Sequence, residues 1–306
     1  MPAREWSAEV AIDEALVRRV LGGQFPQLEL RSVRLLGEGW DNAVWLVDER
    51  WVFRFPRREI AVPAVERQVA LLPRLAPLLP LPIPQPVFAG RPGDDFRWPF
   101  FGAPLLPGRE AADASPGDEE RGRAARPLAG FLRALHDPEL LGMNGVEELP
   151  VDPMGRADMA HRVPRTRARL DELRELGLWD APPEVDVMLE SASRLPPPSG
   201  LAVTHGDLHI RHLLVGDDGV PTGVIDWDDL CRGDPAIDLM LVWSYLPPPA
   251  RPAFLTAYGP VRDDQLVRAR VLALFLCGTL AVYARHEGMH ALEREALAGL
   301  ALVTAE

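Results

Sequence analysis

The alternation of hydrophobic and polar positions between residues 30 and 55 is typical of strands. Val44–Val47 and Trp51–Phe55 are rich in β-branched and aromatic residues, which favour extended backbone. The polar residues Asp48-Glu49-Arg50 separate these two runs. The pattern therefore predicts an antiparallel hairpin.

Helical spacing of apolar residues flanks this hairpin on both sides. One helix is predicted from a cap at Ser7 to Gly22-Gly23, and another over Glu59–Leu79. Two further short strands are predicted around Val87 and Phe100. The first hundred or so residues thus predict a small lobe of strands and helices.

The rest of the chain is mostly helical in pattern, with one interruption at residues 201–227. The predicted helices cover residues 119–136, 155–176, 184–195, 236–246 and 263–287. Within the interruption, three short apolar runs predict strands: Leu201-Ala202-Val203, Leu213-Leu214-Val215 and Gly223-Val224-Ile225. We therefore predict an α+β, two-lobed fold with the layout of a protein kinase. Residues 1–106 would form a small β-rich lobe, and residues 107–306 a larger helical lobe.

Composition and charge narrow the function classes. The 306 residues carry a formal net charge of −12, which argues against a nucleic-acid partner. This charge would suit a cationic substrate, although plain solubility is the favoured explanation. There is no apolar run long enough to span a membrane, no basic-then-apolar leader and no cysteine framework. We expect a cytoplasmic protein with no membrane partner, as a monomer or homodimer.

The densest candidate chemistry lies in the segment Thr204–His212, which holds three of the seven histidines. Asp207 follows a short predicted strand, and Asp226 ends another strand nineteen residues later. Two carboxylates at the ends of neighbouring strands would converge within a few ångströms. Phosphoryl transfer needs such a pair, because one carboxylate accepts the hydroxyl proton and another holds magnesium against the triphosphate.

Four motifs of this region together resemble the aminoglycoside phosphotransferase family. They are His205-Gly206-Asp207-Leu208-His209, His212-Leu213-Leu214, Ile225-Asp226-Trp227 and Gly233-Asp234-Pro235-Ala236-Ile237-Asp238-Leu239. The similarity is greatest to macrolide kinases and 2″-aminoglycoside kinases, which also have His where most relatives have Asn. The resemblance implies that Asp207 is the catalytic base and that His212 and Asp226 bind magnesium. It also implies that Asp238 braces the catalytic loop.

The first lobe resembles the same family in its nucleotide-binding parts. Leu36–Asn42 resembles the phosphate-facing loop, with Gly37 and Gly39 rather than three glycines. Trp51–Arg58 resembles the strand that carries the nucleotide-binding lysine of kinases, but the chain contains no lysine and the position is Arg54. Arg54 could bind phosphate, pair with Glu66, or do both. The base is expected against the connecting segment, where we assign Leu105 to the nucleotide site.

The function implied by the resemblance is transfer of the γ-phosphate of GTP or ATP, with magnesium, to a hydroxyl of an antibiotic. Macrolides, aminoglycosides and other sugar-bearing or nucleoside antibiotics all stay open as acceptors, and the transfer would confer resistance. Asp228 and Asp229 could bind a cationic acceptor, although capping a turn is the favoured interpretation. The resemblance is weak over residues 109–200, the segment expected to shape the acceptor pocket.

Three alternatives stay open at this stage. The spacing of His205, His209 and His212 could supply three zinc ligands, as in a zinc hydrolase. Arg54 in place of lysine could mark a pseudokinase that binds nucleotide without turnover. A different small-molecule kinase of the same fold is the third alternative.

Overall fold

The computed structural model describes residues 8–39 and 41–305. The chain divides into two compact units. The first comprises the residues up to 78 together with 82–106, and the second comprises residues 79–81 and 107 onwards.

The first unit is built on a five-stranded antiparallel sheet in the order β1-β2-β3-β5-β4. Its elements are α1 (Glu14–Gln24), β1 (Val33–Glu38), β2 (Asn42–Val47), β3 (Trp51–Pro56), α2 (Val62–Leu75), β4 (Phe88–Gly90) and β5 (Phe100–Pro104). Fully buried Phe53, Phe55 and Phe100 form its core with Val17 and Leu21 of α1. The Phe55 and Phe100 rings stack with centroids 4.5 Å apart.

The predicted hairpin is confirmed as β2 and β3. Its turn residues Asp48 and Glu49 both have positive φ, 52° and 51°. Two consecutive left-handed residues match the right-handed twist of the flanking strands, which is why short hairpins use them. The Asp48 carboxylate also accepts hydrogen bonds from the backbone N–H groups of Leu30 and Ser32, at 3.1 and 3.0 Å.

The predicted start of the first helix is wrong. Ser7 lies outside the described residues, and α1 begins only at Glu14. Asp13 caps it, since its Oδ1 accepts from the Leu16 N–H at 2.8 Å. The second predicted helix is also shorter than expected, because α2 is flanked by single 3₁₀ turns at Glu59–Ala61 and Ala76–Leu78.

The second unit is mainly helical, with two small sheets of strands. Its helices are α3 (Ala111–Ala114), α4 (Asp118–Arg123), α5 (Ala125–Leu135), α6 (Met159–Glu175), α7 (Pro183–Ser193), α8 (Ala236–Tyr245), α9 (Arg251–Tyr258), α10 (Asp263–Glu287) and α11 (His290–Thr304). Its strands are β6 (Arg109–Glu110), β7 (Ala202–Thr204), β8 (Leu213–Val215), β9 (Pro221–Val224) and β10 (Cys231–Gly233). The sequence pattern did not predict α9, α11 or β10. The predicted helix 119–136 is divided at Ala124, which leaves Pro127 in the first turn of α5, where it is tolerated.

Helix α10 is the one helix among the described residues that is long and apolar enough to cross a membrane. It packs against α6, α8 and α11, and more than half of its most apolar window is buried inside the protein. The core helix of a globular protein passes the same test of length and composition. The helix is therefore weak evidence for a membrane span.

Candidate active site

The backbone after β7 turns sharply at Gly206 and delivers Asp207 into a loop, residues 205–212. Gly206 has φ +91°, and a Cβ there would clash with the carbonyl oxygen of Asp229. Both the conformation and the close approach require glycine. Strand β7 pairs with β10, so the start of this loop is held on a small buried sheet.

Asp238, on α8, stabilises the start of the same loop through hydrogen bonds to its backbone. Its carboxylate is fully buried and accepts hydrogen bonds from the N–H groups of His205 and Gly206, at 2.8 and 3.0 Å. It also accepts from Nε2 of His136 at 3.1 Å, and Nδ1 of His136 accepts from the Tyr258 hydroxyl at 2.7 Å. The expected brace is thus present, and it extends through two residues that the sequence did not reveal.

Asp207 and Asp226 both lie close to His212, but the prediction that they follow neighbouring strands was wrong. Their strands are not neighbours, because β7 pairs with β10 whereas β9 pairs with β8. Instead, the N–H of Ile225 donates to the carbonyl of His212 at 2.9 Å, which carries Asp226 to the histidine ring. His212 Nδ1 lies 2.8 Å from the backbone carbonyl of Asp207, and its Nε2 lies 3.4 Å from Oδ2 of Asp226.

The hydrogen bonds assign the protonation state of His212. Nδ1 faces a carbonyl oxygen and must carry the proton, so Nε2 presents a lone pair to the Asp226 carboxylate. Burial, followed by the influence of His209, lowers the pKa of His212 to about 3, so the ring is neutral near pH 7. Two acceptors that face each other at 3.4 Å suit a bound cation between or beside them.

Asp226 has φ +63°, a left-handed conformation that is uncommon for a residue other than glycine. Such strain costs roughly 1–3 kcal/mol and persists where the surrounding structure enforces it, often at functional sites. The next residue supplies that enforcement. Trp227 is fully buried, donates from its indole N–H to the Val224 carbonyl at 3.1 Å, and packs against the His205 ring.

The Asp207 carboxylate faces a positive or donating group on each side. Its Oδ2 lies 3.4 Å from His209 Nε2, and its Oδ1 lies 3.7 Å from Nη2 of Arg156. Burial alone would raise the pKa of Asp207, but His209, His212 and Arg156 outweigh it and hold the pKa well below the usual range. The carboxylate is therefore ionised and able to accept a proton.

The histidines of this loop do not form the three-histidine set that the zinc alternative requires. Both ring nitrogens of His205 are engaged, with Nε2 3.0 Å from the Ile225 carbonyl and Nδ1 accepting from the Asp207 N–H at 3.3 Å. Among the described residues, the group with converging ligand atoms is Asp207, His209 and His212, all within 4.8 Å of one another. His209 Nδ1 accepts from a backbone N–H at 3.2 Å, which leaves its proton on Nε2, towards Asp207. His209 is thus arranged as a donor to Asp207 rather than as a metal ligand.

Arg156 is a member of the site that sequence reasoning missed. Its Nη2 lies 2.7 Å from Oδ2 of Asp229, so the charge of that aspartate is already paired. A cationic acceptor would have to displace an arginine to use Asp229. Asp228 is half-buried in the same turn. No motif marks Arg156, which lies in the segment where the family resemblance is weakest.

The predicted phosphate-facing glycines lie in the first unit, at the hairpin between β1 and β2. Gly37 sits at a bulge in β1, and a Cβ there would meet nothing within 4 Å. The N–H of Gly39 donates to the Asn42 carbonyl at 2.9 Å, and Arg57 donates to the Gly39 carbonyl at 2.7 Å. The turn is therefore held by Arg57, the residue that directly follows β3, and there is open space beside the Cα of Gly37.

The other predicted nucleotide-binding residues are spread over the first unit. Arg54 is half-buried in β3, opposite Val44 of β2. Glu66 is exposed on α2. Leu105 is 42% exposed, and its N–H is used in a hydrogen bond of 2.7 Å to the Arg50 carbonyl. The roles of these residues stay predictions.

A strand-rich unit, a helical unit and a braced loop with convergent carboxylates define a kinase-like phosphotransferase. Comparison with known families agrees with this class. The model of the phosphotransferase enzyme family matches residues 32–271, so the chain belongs to that family.

Solved structures with the same fold extend over nearly the whole chain. The GDP and kanamycin complex of APH(2″)-IIia has a TM-score of 0.68 at 22% identity and covers 94% of this chain and 97% of its own. The GDP complex of wild-type aminoglycoside 2′-phosphotransferase-IIIa has a TM-score of 0.68 at 23% identity and covers 95% of this chain and 98% of its own. The apoenzyme of macrolide 2′-phosphotransferase MphH from Brachybacterium faecium has a TM-score of 0.61 at 24% identity and covers 94% of this chain and 98% of its own. No curated protein sequence matches the chain significantly.

Proposed function

We propose that this phosphotransferase moves the γ-phosphoryl group of GTP or ATP to a hydroxyl of a small-molecule antibiotic and thereby inactivates it. The observation that carries the proposal is the ionised Asp207 carboxylate, held next to the His212–Asp226 pair on a loop braced by Asp238. The similar structures are named for aminoglycoside and macrolide phosphotransferases, which supports an antibiotic as acceptor.

In this proposal Asp207 orients the acceptor hydroxyl and takes its proton. A carboxylate with a strongly lowered pKa is a weak base, so it accepts the proton only as the new oxygen–phosphorus bond forms. A loose phosphoryl-transfer transition state requires little more of a base, and most of the rate then comes from positioning and electrostatics. His209, with its proton on Nε2, keeps the Asp207 carboxylate turned in one direction.

His212 and Asp226 are the residues that would hold magnesium. A neutral imidazole lone pair and a carboxylate oxygen, facing each other at 3.4 Å, are a donor set that fits a divalent cation. Magnesium, when bound, neutralises charge on the phosphates.

The nucleotide would be bound by residues of the first unit. Gly37 and Gly39 would let the phosphates approach the hairpin backbone, and Arg54 would supply positive charge. The N–H of Leu105 is already engaged in a hydrogen bond, so its side chain and its carbonyl are the groups available to contact the nucleotide base. GTP is the favoured nucleotide, in keeping with the GDP found in two of the similar structures.

Two finer points belong to the same proposal. A cytoplasmic location is supported by Cys231 and Cys277, which are both free and buried. The pairing of Asp229 with Arg156 favours an acceptor that carries no ammonium group next to the reacting hydroxyl. This tilts the choice away from a polycationic aminoglycoside and towards an acceptor with little positive charge near the reacting hydroxyl.

A phosphorylation screen over antibiotic classes tests the proposal. The purified protein is incubated with magnesium, each nucleotide and each acceptor, and mass spectrometry looks for a gain of one phosphate. We expect one acceptor class to be modified, with GTP preferred in direct competition against ATP. Nucleotide binding without any transfer or hydrolysis would instead identify a pseudokinase, and bound zinc without a nucleotide-induced thermal shift would identify a zinc enzyme.

A further inference from the structure

Arg156 lies beside the proposed base in a loop without a recognisable motif. Its Nη2 is 2.7 Å from Asp229 Oδ2 and 3.7 Å from Asp207 Oδ1. Its side chain is only 15% exposed, against 28% for Asp207 and 37% for Asp229. An exposed ion pair contributes little to stability. A largely buried guanidinium, by contrast, is costly to keep charged unless a carboxylate is held beside it.

The backbone around Arg156 is tied to the sheet from which the catalytic loop emerges. Asp152 accepts hydrogen bonds from the N–H groups of Arg156 and Ala157, at 2.8 and 2.9 Å. The N–H of Asp152 in turn donates to the carbonyl of Arg232, in β10, at 2.8 Å. Since β10 pairs with β7, Arg156 and Asp207 are carried by the same small sheet. Their relative position is therefore fixed by the fold.

The second anchor of Arg156 is equally close to the loop. The backbone of Asp229 packs directly against Gly206, so closely that a side chain at Gly206 would clash with the Asp229 carbonyl oxygen. Arg156 therefore connects the segment around Asp229 with the loop that carries Asp207. The Asp207 carboxylate consequently has His209 beside one oxygen and Arg156 beside the other.

We propose that Arg156 is a positioning residue of the transfer step, which fixes the orientation of the Asp207 carboxylate while Asp229 anchors its guanidinium. The distance of 3.7 Å to Oδ1 is too long for a hydrogen bond, so Arg156 acts through its charge and leaves the lone pairs of Oδ1 to the acceptor hydroxyl. The proposal rests on the function proposed above for Asp207.

The test uses the full-length protein and an acceptor that the wild type is shown to phosphorylate. Arg156→Met should lower kcat by roughly 10- to 100-fold, because a misplaced catalytic group costs about that much. The KM for nucleotide should stay within about threefold, since uniform binding is not lost. Arg156→Lys, which keeps the charge, should recover part of kcat. Asp229→Asn should lower kcat as well, and the double variant should be no worse than Arg156→Met alone, because both act through one pair.

A matched control is Arg285→Met, which removes an ion pair of similar length, 2.6 Å to Glu293, at the C-terminal end of α10 and outside the segment expected to shape the acceptor pocket. This control should leave kcat unchanged. A purely structural role for Arg156 predicts a lower Tm with kcat preserved in the folded enzyme, and that result overturns the proposal. If Arg156→Met does not fold, the lysine and Asp229 variants decide in the same way.

A readout independent of turnover separates this inference from the proposed function. A crystal structure of Arg156→Met should show the Asp207 carboxylate rotated or in more than one orientation. An unchanged carboxylate overturns the inference whatever the enzyme's activity. A wild type that phosphorylates no acceptor denies the proposed function, and the crystal structure then still decides the role of Arg156.

Discussion

The hydrogen bonds between Asp238 and the loop at residues 205–212 allow a stability prediction to be worked out. Asp238→Ala removes a fully buried carboxylate and leaves three donors without an acceptor: the N–H groups of His205 and Gly206 and Nε2 of His136. Each buried unsatisfied donor costs roughly 1–3 kcal/mol. The sum is about 3–9 kcal/mol, against a total stability of roughly 5–15 kcal/mol for a typical protein. We expect a loss of about 5 kcal/mol.

Asp238→Asn should cost less, about 2–3 kcal/mol, because its carbonyl oxygen still accepts while its NH₂ group faces a donor. Urea unfolding followed by tryptophan fluorescence measures both variants, and amide exchange at His205 and Gly206 should accelerate. Asp171→Asn is the control, because its ion pair with Arg174 is exposed and contributes little. An Asp238→Ala protein within about 1 kcal/mol of the wild type would mean that these hydrogen bonds add nothing to stability, contrary to this prediction.

Three further predictions concern the site and the thiols. Gly206→Ala should destabilise the protein by at least about 2 kcal/mol in urea unfolding and abolish most activity, because the new Cβ would clash with a backbone carbonyl at a positive φ. As a control, Gly37→Ala should not change stability, because a Cβ there meets nothing within 4 Å. His212→Ala should raise the magnesium concentration for half-maximal turnover by roughly 10- to 100-fold, and an unchanged magnesium titration would remove His212 from the metal site. Burial raises the pKa of Cys231 to about 11 and that of Cys277 to about 12, so both thiols stay protonated even above the ordinary thiol pKa and begin to ionise only as the pH approaches 11. Iodoacetamide at pH 8 should therefore modify neither cysteine in the native protein and both in urea, as counted by mass spectrometry; modification of the native protein would contradict the burial.

The sequence predicted elements best where local signals and tertiary structure agree. Helix α10 begins at Asp263, with two acidic residues in its first turn, and ends before Gly288 in the left-handed conformation, at φ +68°. Both signals are local, and the predicted bounds match the observed ones. The predicted start of α1 was wrong because Asp13 is also a residue type that caps helices, and the helix begins directly after it.

The site was predictable where a motif carries it and not where distant segments supply it. Asp207, His212 and Asp226 are close together in the sequence and are brought together largely by local turns. Arg156 and His136 reach the same loop from far along the chain, through tertiary packing that leaves no periodicity in the sequence. The expectation that the strands before Asp207 and Asp226 are neighbours was wrong because β10, the strand that pairs with β7, has the sequence Cys-Arg-Gly and lacks the β-branched and aromatic residues that mark a strand.

The steady-state turnover of Asp207→Asn, beside its affinity for nucleotide, decides whether Asp207 is the base. Asparagine keeps the size of the side chain but cannot accept the hydroxyl proton as a carboxylate does. We expect kcat to fall by about 10²- to 10⁴-fold while the Kd for the nucleotide, measured by calorimetry with magnesium, changes little. Turnover equal to that of the wild type would contradict the assignment of Asp207 as the base.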